Sequence, residues 1–248
     1  MKIPTILNHS EFLDAPLDYK WNEDTSLFYI DEADNEKVYF AFWALNHKAS
    51  LGMVTALCEW IYWRVYKHIN KPAIEECIES LWASVINMDY SYKWDATTGY
   101  VSTPTEGPIW AMAFLMGEPV ATYHEGWHFF PTVDKLALLA RHIAPNKKQF
   151  DEWFQKTLKK AASLFPSTID HKDIAKHPRK YDNVPYDSSD EPAIPREFFF
   201  EADFDYETAD NASLINQFLS NLDYANNQFL NSPEKMLELG FKGTPYKY

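Results

Sequence analysis

Residues 72–86 read PAIEECIESLWASVI. Ile74, Cys77, Ile78, Leu81, Trp82, Val85 and Ile86 recur at spacings of three and four, the period that lays apolar side chains along one stripe of an α-helix. Pro72 suits the first helical position, where its missing N–H has no intrahelical partner to lose. The stretch before it, SLGMVTALCEWIYWRVYKHI at 50–69, has the same period. Leu51, Val54, Leu57, Cys58, Ile61 and Val65 share a stripe there, and Trp60 and Trp63 widen it. Two such helices joined by a short loop predict an antiparallel pair, and the chain reads as mainly α.

Outward from this pair, VYFAFWAL (Val38–Leu45) is ambiguous, since it alternates like a strand while Val38, Phe42 and Leu45 share a helical face. It runs smoothly into the next helix, which favours helix; the alternative is a small β-hairpin with Leu27–Ile30. Residues 89–108, with Gly99, Pro104, Gly107 and Pro108, read as a turn-rich connection. A short helix is expected over Ile109–Met116, stopping at Gly117. Thr132 is a candidate cap for Val133–Ile143, and Asn146 for Lys147–Leu164, with Phe150, Phe154, Leu158 and Ala161 facing inward. Pro166, Pro178, Pro185, Pro192 and Pro195 then break any regular helix and imply an extended strap over the surface. Leu214–Leu222 is a further short helix. Ser232 caps a last one, with Pro233 at its first position and Gly240 just past its end. The expected organisation is one helical domain over 1–248: an acidic N-terminal segment (1–37), a helical bundle (38–165), a Pro-rich, acidic strap (166–210) and short C-terminal helices (211–248).

Composition narrows the function classes. Of 248 residues, 46% are apolar, with 9 Trp, 15 Tyr and 17 Phe but only 7 Gly, which supports a substantial core and disfavours glycine-rich phosphate loops. The net charge of −13 opposes binding to nucleic-acid phosphates and to anionic membranes. MKIPTILNHSEFLD has no signal-peptide pattern, and no apolar run is long enough to span a membrane. Cys58 and Cys77 fall in apolar helical stripes, so two buried reduced thiols and a cytoplasmic location are expected. No nucleophile elbow, CxxC pair or phosphate loop appears, and no cofactor is expected.

His124-Glu125-Gly126-Trp127-His128 matches the H-E-x-x-H pattern. On a helix, His124 and His128 would share a face and bind zinc, with Glu125 as general base of a zinc-dependent hydrolase. Three features oppose this. Gly126 weakens a helix interior, Pro131 ends it, and no third ligand is evident beyond Asp151 or Glu152 on another predicted helix. The favoured reading is an aromatic-rich segment with two hydrogen-bonding histidines, the hydrolase being the alternative.

Charge is segregated along the chain. Lys135–Lys180 holds eleven Lys or Arg against four acids, and Asp182–Asp210 holds ten acids against Arg196 alone. Such separation suggests an internal contact or a face prepared for a partner. Within this arm, Arg196-Glu-Phe-Phe-Phe-Glu-Ala-Asp-Phe-Asp-Tyr-Glu207 interleaves aromatics with carboxylates. Glu201, Asp203, Asp205 and Glu207, with Phe200 and Phe204 as aromatic anchors, are the candidate partner-binding residues.

The segments Cys58-Glu-Trp-Ile-Tyr-Trp-Arg64, Glu79-Ser-Leu-Trp-Ala83 and Glu106-Gly-Pro-Ile-Trp-Ala111 resemble those of helical bacterial immunity proteins. So does the tail from Phe229-Leu-Asn-Ser-Pro-Glu234 to Gly240-Phe-Lys-Gly-Thr-Pro-Tyr246. The resemblance runs from about residue 40 to the end and rests on style and spacing. Such proteins are encoded beside polymorphic or type VI-secreted toxins. The resemblance implies a cytoplasmic antitoxin, not an enzyme, that occludes the active site of one cognate toxin, and an acidic inhibitor suits a basic toxin.

Overall fold

The computed structural model describes residues 1–92, 100–128, 130–180 and 184–248. Gly99 of the turn-rich connection and Asp182, the first acid of the arm, lie outside them. In chain order the α-helices among these residues are α1 (Ser10–Leu13), α2 (Glu23–Leu27), α3 (Glu36–Phe42), α4 (His47–Val65), α5 (Pro72–Ile86), α6 (Gly107–Glu125), α7 (Val133–Ile143), α8 (Lys147–Leu164), α9 (His171–Lys176), α10 (Glu197–Phe200), α11 (Asn211–Ser220) and α12 (Pro233–Glu238). The fold is a mainly helical single domain. Its only β pairings among the described residues are two isolated bridges, Leu45 with Pro166 and Ser91 with Leu230. The hairpin alternative near the N-terminus is therefore corrected: Phe28–Glu32 is a π-helical turn and Glu36–Phe42 is α3, capped by the Asn35 side chain.

α4 is the axis. It starts three residues earlier than the periodicity predicts, at His47, because the Asn46 side chain accepts the Ala49 N–H at 2.9 Å. Every one of its 19 residues is buried, since α1, α5, α6, α7 and α10 all pack on it. The contacts of α4 with α5 run in opposite order along the two helices. Lys48 meets the Ile86 carbonyl, Glu59 meets Trp82, and Tyr62 meets Glu75, so the pair is antiparallel as predicted.

α6 departs from expectation. It passes through Gly117 and Pro119 and continues to Glu125. Pro119 has no N–H for the carbonyl four residues back, that of Leu115, a loss that normally kinks or ends a helix. Here the Thr132 hydroxyl donates to the Leu115 carbonyl at 2.8 Å and fills the gap. Thr132 is thus not the side-chain cap predicted for α7; its hydroxyl is turned to α6, and its backbone sits at φ 61°, unusual for a β-branched residue. Asn146 does cap α8, accepting from Gln149 N–H at 3.1 Å. The C-terminal helices cover a second, smaller core in which Ile215, Leu219, Leu230 and Met236 pack with Tyr90. Ser232 caps α12 as read from the sequence.

Candidate functional site

The strap is where sequence and structure meet most informatively, because its residues divide between anchoring and exposure. The first anchor lies at Val184–Tyr186. Tyr186 N–H donates to the Gly126 carbonyl at 2.5 Å, and its ring lies 3.8 Å from that of buried His47. Glu191 is the second. Its carboxylate accepts the backbone N–H groups of His47 and Lys48 at 3.0 and 2.8 Å, and the Tyr186 hydroxyl at 2.6 Å. A carboxylate there satisfies donors that the start of α4 leaves free and lies at the positive end of the helix dipole. Lys48, 4% exposed, donates to the Ile86 and Glu191 carbonyls, which tie it to both α5 and the strap.

The third anchor is electrostatic. Glu59 on α4 is 0% exposed. Arg196 Nε donates to its Oε1 and Arg196 Nη2 to its Oε2, both at 2.5 Å. The indole N–H groups of Trp63 and Trp82 each donate to the same carboxylate at 2.7 Å. Burial works against the Arg196 charge, but the attraction of Glu59 outweighs it and holds the guanidinium more firmly protonated than usual. The one base among the arm's acids is therefore the bolt that fixes the arm to the central helix. A charge on an otherwise apolar helix stripe was the available signal for Glu59, since a buried carboxylate needs a partner.

α10 completes the attachment. A Cβ on Gly52 would fall 2.1 Å from the Phe199 ring, so only glycine lets α10 lie this close to α4. Trp153 N–H donates to the Phe199 carbonyl and Lys160 Nζ to the Phe198 carbonyl, at 2.8 and 2.7 Å. Phe200, expected to anchor a partner, is a core residue instead. It is 5% exposed and stacks on Trp153 at 6.1 Å. Phe204 is half-buried, 6.3 Å from the Phe198 ring.

Beyond α10 the backbone advances in turns, and the side chains alternate. Glu201, Asp203, Asp205 and Glu207 are all exposed, while Phe204 and Tyr206 turn inward. Among the described residues none of these four carboxylates forms an ion pair. Hydrogen bonds from the Thr208 side chain and the Glu207 backbone hold Asp205 below the ordinary carboxylate range, so it stays charged. A second acidic face lies at Glu23, Asp24, Asp31 and Glu32, also exposed and beside exposed Leu27 and Phe28.

The HEGWH segment does not form the helical face that the zinc alternative requires. α6 ends at Glu125, and Gly126 turns into the left-handed region at φ 69°, a C-terminal glycine stop. His124 and His128 then part. His124 Nε2 pairs with Ser91 Oγ at 3.1 Å, and His128 Nε2 with the Val184 carbonyl at 2.8 Å. His124 thus ties down the turn after α5, and His128 the strap. No group of three His, Cys, Asp or Glu side chains among the described residues is placed to hold a metal ion. Cys58 and Cys77 are buried and unbridged, and burial pushes both thiols up. Among the described residues no helix is long and apolar enough to cross a membrane.

Fold and site together define a mainly helical domain that carries a fixed acidic arm. No family model, curated protein or solved structure matches the chain.

Proposed function

We propose that this protein is an immunity protein that neutralises a basic toxin in the cytoplasm, using the exposed carboxylates Glu201, Asp203, Asp205 and Glu207 to engage and occlude the toxin's active site. The observation that carries this reading is the state of those four side chains. They project from a segment already fastened to the core by Arg196 and Phe198–Phe200, and among the described residues none of them forms an ion pair, Glu201 alone lying near a cation, Lys160. A row of exposed, unpaired carboxylates on a rigid support is pre-organised for an oppositely charged partner and speeds its encounter. The segregation of ten acids against one base in this stretch, and the resemblance to helical immunity proteins, point the same way.

The test is capture of the product of the adjacent gene, followed by association kinetics across a salt series. Replacing all four acids by Asn or Gln should slow association by about tenfold or more at low salt. The difference should shrink as ionic strength rises, because exposed charges are screened beyond about 10 Å at 0.1 M. An unchanged rate at low salt would move the interface to Glu23, Asp24, Asp31 and Glu32. Failure to bind the neighbouring product at any salt would sink the immunity reading itself.

A further inference from the structure

We propose that the groove between α8 and the arm is a socket for one neutral aromatic side chain, presented by the protein that binds the outer row of carboxylates. The proposal rests on the toxin-binding reading of Glu201, Asp203, Asp205 and Glu207 and adds to it the chemistry of the partner's anchor. The groove measures about 200 Å3, below the roughly 300–1,000 Å3 of sites that take drug-sized ligands, so it suits a single side chain rather than a cofactor. Ile6, Trp153, Phe199 and Phe200 supply its apolar lining. The Trp153 and Phe200 rings stack there at 6.1 Å and 12°, and the Trp153 N–H is tied to the Phe199 carbonyl at 2.8 Å. The floor is therefore aromatic and set before anything binds.

Charge decides what the groove accepts. Glu152 and Glu201 stand against Lys156 and Lys160 on its walls, so an ionic ligand of either sign would meet a like charge. Two of the four are already engaged. The Lys160 ammonium donates to the Phe198 carbonyl at 2.7 Å and lies 4.1 Å from the centre of the Phe198 ring, and Glu152 has Lys148 at 3.7 Å. A neutral ring meets no such conflict. It can lie offset on the Trp153–Phe200 pair, a geometry that adds to its burial, and a phenol or indole tip can donate to a rim carboxylate. Position links the socket to the arm. Glu201 and Ala202 are groove wall and the start of the outer row at once, so a partner steered by the carboxylates arrives over the opening. An aromatic anchor sunk in a pocket and ringed by charged side chains is the arrangement of an interface hot spot. A second groove, of about 230 Å3 beside Glu79 and Glu197, has Arg196 in its wall and none of the outer row.

The experiment first titrates the folded full-length chain with N-acetyl-tyrosinamide and follows backbone and indole N–H signals by NMR. The Trp153 indole and Ala202 backbone signals should shift with millimolar affinity, as befits so small a ligand. The Trp63 and Trp82 indoles, bonded to Glu59, should hold still. N-acetyl-leucinamide should bind several-fold more weakly, since it gains no stacking. Gln149→Trp closes the groove from α8 without touching the outer row, and should abolish the shifts. In toxin binding the same variant should keep the salt-dependent association rate and speed dissociation by about thirtyfold or more, the loss expected of a hot-spot side chain. Circular dichroism checks its fold; if it does not fold, Ala202→Trp, which keeps all four carboxylates, takes its place. If the adjacent gene's product does not bind the native chain, the immunity reading falls and the probe alone decides the groove. An unshifted Trp153 indole, shifts that survive the closing of the groove, or toxin dissociation unchanged by it would overturn the proposal.

Discussion

The inner half of the strap, 184–200, and the outer row, 201–207, are written in nearly the same alphabet of acids and aromatics, yet they do opposite work. In the inner half the charges that fasten the strap are answered, while Asp187 and Asp190 stay exposed. Glu191 meets backbone N–H groups and Arg196 meets Glu59, while the aromatic rings are sunk against α4 and α8. In the outer row the rings are only half sunk and the carboxylates are left to solvent. Composition therefore does not separate scaffold from surface; the presence of a matched partner does. Stability should accordingly be concentrated in the first half and be nearly absent from the second.

The sharpest way to break that contrast is at Arg196. Arg196→Ala strands the Glu59 charge in the core and should cost about 3–5 kcal/mol by chemical denaturation, because removing one partner of a buried pair leaves the other unpaired. Glu59→Gln in the same chain should recover part of the loss. A cost below about 1 kcal/mol would erase the distinction between the halves.

His47, which packs beneath Tyr186, gives the next largest effect, read through pH. Burial pushes His47 from its ordinary 6.5 down to about 3. The unfolded chain then binds the extra proton between those values, so the stability tied to neutral His47 is complete above about 6.5 and is lost as the pH falls towards 3. This adds a slope of at most about 1.4 kcal/mol per pH unit. His47→Gln should flatten the melting-temperature profile between pH 6 and 4, and an unaltered profile would contradict the assignment.

Glu191→Gln keeps the shape of the cap but removes its charge, and should cost about 1–2 kcal/mol by urea denaturation. The smallest effect is expected in the outer row, where the fourfold Asn/Gln replacement should shift stability by less than about 0.5 kcal/mol. A cooperative loss of several degrees there would show that the row is part of the fold.

The regular part of this architecture was legible because periodicity reports burial on one side. α7 and α8 have a dry face and a wet one, as does the first half of α5, so their bounds follow from the sequence. α4 is dry all round, which blurs its stripe and its ends, while the wetter face of α6 carries apolar Trp110 and Phe114 beside Glu118, which hides its period. A single Gly117 then looks like a stop, although the contact that carries α6 past Pro119 comes from Thr132, remote in sequence. Within the site, the exposed carboxylates could be read from alternation along Phe200–Glu207. The inward turn of Phe200 could not, since its partner Trp153 belongs to another helix. The same holds for Lys48 and Glu191, and for which groups meet Glu59, since these are pairings across more than twenty residues of chain. HEGWH failed as a helical motif for a local reason that the sequence did show, the Gly126 stop.

Pro119 and Thr132 bear on how this protein can change over generations. The ring at 119 is tolerable only while a hydroxyl at 132 reaches the Leu115 carbonyl, and that hydroxyl has its purpose only while the ring is there. Loss of either alone is unequal. Replacing the proline by alanine restores an ordinary helical bond, whereas replacing the threonine by valine orphans a buried carbonyl. The permitted order of steps is therefore one-way. Descendant chains should be found with the threonine and no proline, or with serine in its place, but not with the proline beside an apolar residue at 132. A single hydrogen bond between two helices thus leaves a direction in the protein's history that other sequences of its lineage would record.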